Sequence, residues 1–338
     1  WRNIGGGRTA FSLPELAEIA AQNHHIFKEL QYLSNIDYKP IRYISFAHDE
    51  ETYKALEASK AWSKAEMIAP KQFREEISPY FNANPKKYIS ALVSEDCWQA
   101  TPGKVVDLVR NLGIAAGGTV MEDCRVLEAC REGKYTSVLV QTHDKKYVEY
   151  RTEHFVNALG SGAGKLCDSM GIDAGLYPVR HQAFITRRLP MLGKHGTNLD
   201  MLIDRQDYKG FSAVYGQQIA YTGQIIGCAS PKLDAMRIDK NLKVNTKAFL
   251  EIVSEMFSEW IPDLAGVGIQ AVWAGYYTEP RYIVDPELGL FVGMRGHGFM
   301  LSQYIARMYV DKLLGRPVPE YFEKLKLNGP GLSEKAFK

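Results

Sequence analysis

A chain of 338 residues is long enough to bury a large core and to divide into two domains. With 46% hydrophobic and 24% charged residues and a net charge of +2, its composition is ordinary for a globular protein and gives no reason to invoke nucleic acid or an anionic membrane. No apolar run reaches the roughly 18 residues of a membrane helix, and no charged-then-apolar leader opens the chain. The five cysteines, Cys97, Cys124, Cys130, Cys167 and Cys228, are scattered and form no CxxC pair. Such thiols are expected to be reduced and buried, as in a cytoplasmic protein.

The chain opens on a glycine turn, Gly5-Gly6-Gly7-Arg8. Ser12-Leu13-Pro14-Glu15 follows, and serine as N-cap with proline early and glutamate three residues on predicts a capping box. The helix is expected to run to about Leu33, with Leu16, Ile19, Ala20, Ile26 and Leu30 on one stripe. Residues 41–47 alternate as a strand, and Asp49 is placed to cap a helix ending near Trp62. Residues 68–80 read as a polar helix broken by proline, 88–94 as a strand, and Thr101-Pro102 as the start of an amphipathic helix through Leu112. A strand-rich patch follows at 125–129, 137–141, 147–150 and 154–157.

Asn157-Ala158-Leu159-Gly160-Ser161-Gly162-Ala163-Gly164-Lys165 invites two misreadings. It is no P-loop, because Leu159 stands where the first glycine is needed and Leu166 where Ser or Thr is needed. Nor is it a GxGxxG turn, because Lys165 holds the third glycine position. What remains is a strand ending in a small-residue turn at a helix N-terminus, apt for a pyrophosphate. Cys167 and Met170 on that helix read as core.

From 176 to 272 the chain turns to strands with long polar connections, at 178–182, 211–215, 218–221 and 224–227, then a helix over 245–260. No internal repeat or low-complexity segment occurs. Residues 273–315 read as strand, turn, strand, glycine-rich turn and helix. Leu290 to Gly293 is a buried strand or its end, Gly296-His297-Gly298 a tight turn, and the helix carries Phe299, Met300, Ile305, Met308, Tyr309 and Leu313 until Gly315-Arg316-Pro317 stops it. Such a helix start serves as an ordinary junction or favours an anion or carbonyl oxygen. The tail beyond Pro317 reads as a surface segment or a partner contact.

The stretch from Gly293 to Ser302, GMRGHGFMLS, resembles the GxSGHGFxxS turn of the D-amino-acid oxidase and sarcosine oxidase superfamily of FAD enzymes. Trp273-Ala274-Gly275 is similar to the family's strand entering the flavin site, and Pro178-Val179-Arg180-His181-Gln182 to its PVRGQ strand. Residues 2–16 and 155–166 resemble its other two nucleotide turns, in the right order along the chain to about Leu314. The family's opening strand, GxGxxG turn and helix have no counterpart before Trp1, so about 40–50 residues of its pattern are expected to be missing.

The resemblance implies an α/β (α+β) fold. An FAD-binding, glutathione-reductase-like domain would be assembled from 1–36, 95–178 and 278–320. A mixed-sheet substrate domain would come from 37–94 and 179–277, leaving 321–338 as a tail. It implies FAD contacts from Gly6, Gly7 and Arg8 beside the flavin ring and from the Val126 backbone at the adenine. Ala158, Gly160 and Ser161 would supply the second nucleotide contact. Trp273, Gly275, Gly296, His297, Gly298, Phe299 and Met300 would surround the flavin. Arg295, His297 and Tyr277 are the expected catalytic set.

Nothing in the sequence offers a GxSxG elbow, an HExxH pair or Cys/His metal spacing, and no metal is expected. That suits chemistry carried by a flavin, with the protein supplying orientation and electrostatics. The family passes a hydride from the carbon beside an amine to flavin N5, and the imine hydrolyses. Here the sequence departs from its relatives, for Phe11 and Met300 stand where sarcosine oxidases hold the substrate carboxylate with Arg and Lys. Tyr277 stands where glycine oxidases and D-amino-acid oxidases use Arg. The remaining cations are Arg8, Arg180, Arg281 and Arg295, with Arg295 preferred, and Tyr276 and Tyr277 are expected in the pocket.

Aligning 222–227 puts Ile225 where an oxygen-activating lysine stands in sarcosine oxidases, unless Lys232 substitutes. An FAD-dependent amine or amino-acid dehydrogenase is therefore favoured over an oxidase, passing electrons to a dye, quinone or partner subunit. A 2-hydroxyacid dehydrogenase, or a non-catalytic or truncated subunit, is the alternative. The absence of cysteine after Cys228 argues against a covalent flavin at the sarcosine oxidase position. Homo- or hetero-oligomeric assembly stays open.

Overall fold

Period-two alternation organises the larger layer of the fold. The computed structural model describes residues 3–78, 81, 85–192, 199–205, 211–219, 222–231, 246–262 and 265–334. In chain order the elements begin with β1 (Gly6–Gly7), α1 (Pro14–Leu33), β2 (Lys39–Ala47), α2 (Glu50–Ala58), β3 (Ala65–Ile68), α3 (Phe73–Glu76), β4 (Ser90–Gln99) and α4 (Pro102–Ala115). There follow β5 (Arg125–Glu132), β6 (Tyr135–Gln141), β7 (Tyr147–Thr152), α5 (Ala163–Ser169), β8 (Tyr177–Thr186), β9 (Met201–Asp204), β10 (Phe211–Gln218) and β11 (Ile225–Pro231). Last come α6 (Thr246–Trp260), β12 (Ile269–Glu279), β13 (Ile283–Asp285), β14 (Leu290–Val292) and α7 (Gly298–Leu313). The fold is mixed α/β, as the resemblance implies.

A nine-stranded sheet runs in the order β1-β4-β2-β9-β10-β11-β8-β12, with β3 paired to the outer side of β4. Its pairs are antiparallel except β2 with β9, so the sheet is mixed. One face carries Ile44, Phe46, Phe184, Leu202, Val214 and Ile225 onto α6. On α6, Phe249, Ile252, Val253, Met256, Phe257 and Trp260 recur at helical spacing and are all buried. Their burial is worth on the order of 10 kcal/mol, which fixes which face of each strand is core and leaves the other face to the site. A bulge between Phe211 and Ala213 lets Phe211 join this core while Ala213 turns to the opposite face.

The second layer packs α1 on α7, with Leu16, Ile19 and Phe27 against Met300, Leu301, Ile305 and Met308. A three-stranded antiparallel sheet, β5-β6-β7, packs β5 on α5. β13 and β14 form a hairpin leading into α7.

Several expectations need correction. α1 starts at Pro14 with Leu13 as N-cap and no side-chain cap, because proline takes the first helical position. The Ser12 N–H instead donates to Glu334, and Glu15 pairs with Lys324. Within 68–80 only Phe73–Glu76 is α-helical, and Ile68 ends strand β3. Residues 154–157 reduce to one bridge from Asn157 to Leu290.

The tail is not a surface segment throughout. Phe322, Leu325 and Leu332 are buried in the core of the second layer, and Arg281 donates to the Leu327 and Gly329 carbonyls. All five cysteines are free, but Cys130 is exposed on the outer side of β5 and Cys124 is half-buried. Arg2, Tyr80, Tyr221, Lys232 and Asn245 lie outside the described residues.

Candidate active site

The sheet face turned away from α6 is the floor of a cavity of about 510 Å³. Its residues follow strand alternation: Tyr43 on β2, Met201 and Ile203 on β9, Ala213 and Tyr215 on β10, Cys228 and Ser230 on β11. His181 and Ala183 on β8 continue the floor opposite Gly275 and Trp273 on β12. Small residues, Gly275, Ala183 and Ala213, leave room above the sheet. The three glycine turns supply the rest of the wall.

In the first turn, Gly6 and Arg8 line the cavity while Gly7 turns to the core. A Cβ on Gly6 would lie 2.1 Å from the Tyr43 hydroxyl, and one on Gly7 would lie 2.2 Å from the Trp98 ring. Both positions therefore need glycine for packing. Arg8 is buried, stacks over Phe11 at 4.5 Å, and places an Nη 3.3 Å from His297 Nε2. Burial holds its guanidinium below the ordinary value, offset in part by the Glu334 carboxylate.

Because a guanidinium only donates, His297 Nε2 accepts from Arg8, and His297 Nδ1–H donates to the Tyr282 hydroxyl oxygen at 2.5 Å. His297 thus ties the first turn to the third.

The second turn reaches the cavity through Ser161 alone among its expected contacts. Ala158 and Gly160 are exposed, Val126 is half-buried on β5, and none of the three lines the cavity.

In the third turn, Arg295, Gly296, His297, Gly298, Phe299 and Met300 all line the cavity. Gly293 has φ +70°, and a Cβ there would lie 1.9 Å from the Arg281 carbonyl oxygen, so only glycine fits. Gly296 lies against Tyr277, where a Cβ would be 2.5 Å from the ring. α7 begins with His297 as N-cap and no side-chain cap, so its positive end faces the cavity.

Arg295 donates through Nε to Glu279 at 2.7 Å, with both side chains largely buried, and its buried Nη1 has no partner among the described residues. Tyr277 also lines the cavity, shares a 3.0 Å hydrogen bond with Tyr215, and stacks on His181 with centroids 3.7 Å apart. Burial pushes both tyrosines above their ordinary values and Cys228 up to about 12, so these groups are neutral.

Two cavity residues escaped the sequence reading. Arg205 follows β9, and burial together with repulsion from Arg8 brings it down to about 9. The alternation Met201, Ile203, Arg205 could have revealed it, had β9 been recognised. His181 was seen only as part of a strand. Arg281 serves the tail, and Arg180 does not line the cavity.

Ile225 is a correction: it is wholly buried in the α6-facing core, and Cys228 and Ser230 are the β11 residues at the cavity. The expected alignment is out of phase with the strand.

A helix start rich in N–H donors, beside the buried cation Arg8, fits the carbonyl edge of a flavin ring. This chamber suits an oxidoreductase that works through such a bound ring. The chain belongs to the DAO family of FAD-dependent oxidoreductases, whose pattern matches residues 1–312.

Its fold is similar to that of L-proline dehydrogenase from P. horikoshii (22% identity, TM-score 0.78, covering 96% of this chain and 86% of that one). It is also similar to glycine oxidase from Geobacillus kaustophilus (16%, 0.77, 96% and 87%) and glycine oxidase from Bacillus cereus (17%, 0.72, 95% and 88%). At these identities the likeness concerns the fold. No curated protein matches the chain significantly in sequence. Among the described residues no helix is long and apolar enough to cross a membrane, and no cluster of metal-ligating side chains occurs.

Proposed function

We propose that this FAD-dependent enzyme oxidises an amine or amino acid at the carbon beside nitrogen, as a dehydrogenase. Bound FAD would supply the two-electron oxidation. The chain's residues would position the substrate, exclude water and keep the amine in a neutral setting. The observation that carries this reading is the cavity wall itself, in which neutral tyrosines and His181 on the sheet share one chamber with Arg295 and the open start of α7. Arg295 Nη1, held by the Nε contact to Glu279, is offered as the anchor of the substrate carboxylate. Structural neighbours are titled L-proline dehydrogenase and glycine oxidase, which agrees with an amino-acid substrate.

Gly6, Arg8, Trp273, Gly275 and the turn from Gly296 to Met300 are assigned to the flavin ring. Ser161, with Ala158, Gly160 and Val126 outside the cavity, is assigned to the nucleotide half. The discontinuous domain division at 1–36, 95–178 and 278–320 against 37–94 and 179–277 belongs to the same reading. So do a cytoplasmic location and an electron acceptor other than oxygen, either a quinone or a partner subunit.

The test is anaerobic reduction of the purified yellow protein by a panel of amino acids, amines and 2-hydroxy acids, with an artificial dye to reoxidise it. Bleaching by amino acids is expected. Bleaching by hydroxy acids alone would replace the reading with hydroxyacid oxidation, and a protein carrying no flavin would abolish it.

A further inference from the structure

His181 lines the cavity yet makes no hydrogen bond to any described residue. Its Nδ1 is buried without a partner, while the rest of the ring edge opens on the cavity. A buried bare lone pair is tolerated better than a buried N–H left unmatched, so the proton belongs on Nε2. The ring then presents one N–H donor to the cavity. Burial alone, with no charged group offsetting it, lowers His181 to about 3, so the donor carries no charge. Tyr277 packs against Gly296, the neighbour of Arg295, and stacks on His181. Arg295, Tyr277 and His181 line the same cavity.

We propose that His181 Nε2–H is a positioning donor for the substrate carboxylate, binding one oxygen while Arg295 Nη1 binds the other. This rests on the amino-acid reading above and narrows it to substrates with a carboxylate beside the reacting carbon. A neutral donor on the sheet holds the carboxylate without adding charge to the cavity. His181 stands between Arg180 and Gln182 in the chain, and a run of three polar residues does not reveal which of them turns to the cavity.

The probe is 2-furoate, a planar carboxylate that cannot be oxidised at a C–N bond, titrated calorimetrically into the FAD-loaded protein. His181→Phe keeps the stack on Tyr277 and removes the donor, and the dissociation constant is expected to rise about 10- to 100-fold. His181→Asn returns an N–H donor and is expected to recover most of that loss, which a merely structural role would not do. Independently, ¹⁵N spectra of the labelled histidine rings should show His181 neutral and protonated on Nε2 from pH 5 to 8.

Unchanged furoate affinity in His181→Phe, failure of His181→Asn to recover it, protonation on Nδ1, or a charged ring in that range would each overturn the proposal. Furoate binding that depends on His181, with no amino acid bleaching the flavin, would leave this subsite standing and remove the proposed reaction instead.

Discussion

Removing Arg295 tests a structural and a binding role at once, and the two can be separated. Its Nε is 2.7 Å from Glu279, and the two side chains are only 8% and 14% exposed. Arg295→Gln leaves the Glu279 carboxylate buried without its partner, which costs about 3–5 kcal/mol. It also removes Nη1, and the loss of a charged hydrogen bond to a carboxylate raises a dissociation constant about 10- to 100-fold. The backbone cost at Arg295, with φ +51°, is unchanged because glutamine keeps the Cβ.

Adding Glu279→Gln removes the stranded charge, so the double variant should regain most of the lost stability but none of the lost affinity. Urea unfolding measures the first quantity and furoate titration the second. A single variant within about 1 kcal/mol of the parent would refute the buried-pair argument. A double variant that binds furoate normally would move the anchor to Arg8 or Arg205.

Gly296→Ala should destabilise by about 1–3 kcal/mol and lower carboxylate affinity, because the new methyl meets a Tyr277 ring already held by Tyr215 and His181; unchanged melting and binding would show that the ring can move. Acid sensitivity should come in part from His24, which burial lowers from 6.5 to about 4. A depressed histidine is neutral in the fold while the unfolded chain takes up the proton, so stability falls as pH drops from about 6.5 towards 4. His24→Phe, which keeps a ring against Trp98, should flatten that slope in urea melts at stepped pH. His48 acts in the opposite sense: burial lowers it but bonding to Asp204 raises it overall, so its contribution is present below its ordinary value and lost as pH rises. Reoxidation of substrate-reduced protein by air should be slower than dye-linked turnover, since among the described residues no lysine lines the cavity; stopped-flow reoxidation matching turnover would show an oxidase.

How much of the fold was legible follows from what sets each element. α1, α6 and α7 were readable because their apolar residues recur at helical spacing and a buried face depends on nothing else. β9 was missed, since a four-residue strand is fixed by β2 and β10 on either side and not by its own composition. The tail was misread because its burial depends on distant contacts, Arg281 to the Leu327 and Gly329 carbonyls and Glu334 to Ser12. Glycine turns were legible as close approaches, yet the approach at Gly7 is to Trp98 and the one at Gly296 is to Tyr277, both within the protein.

The site's chemistry depends on phase more than on residue type. On β11 the even positions Cys228 and Ser230 reach the cavity, and the odd positions Ile225 and Ala229 reach α6. A slip of one residue exchanges a buried core isoleucine for a cavity wall, which is how Ile225 was misplaced beside the flavin. The phase is set from outside the strand. Phe249, Met256, Phe257 and Trp260 demand an apolar face from β8, β10 and β11 together, and no one strand can rotate without giving up that burial. His181 follows from the same constraint. With Phe184 committed to α6, residues 181 and 183 of β8 must face the cavity, so of the polar run Arg180-His181-Gln182 it is the imidazole that stands above the floor. In this protein the core facing α6 therefore selects which side chains can meet a substrate.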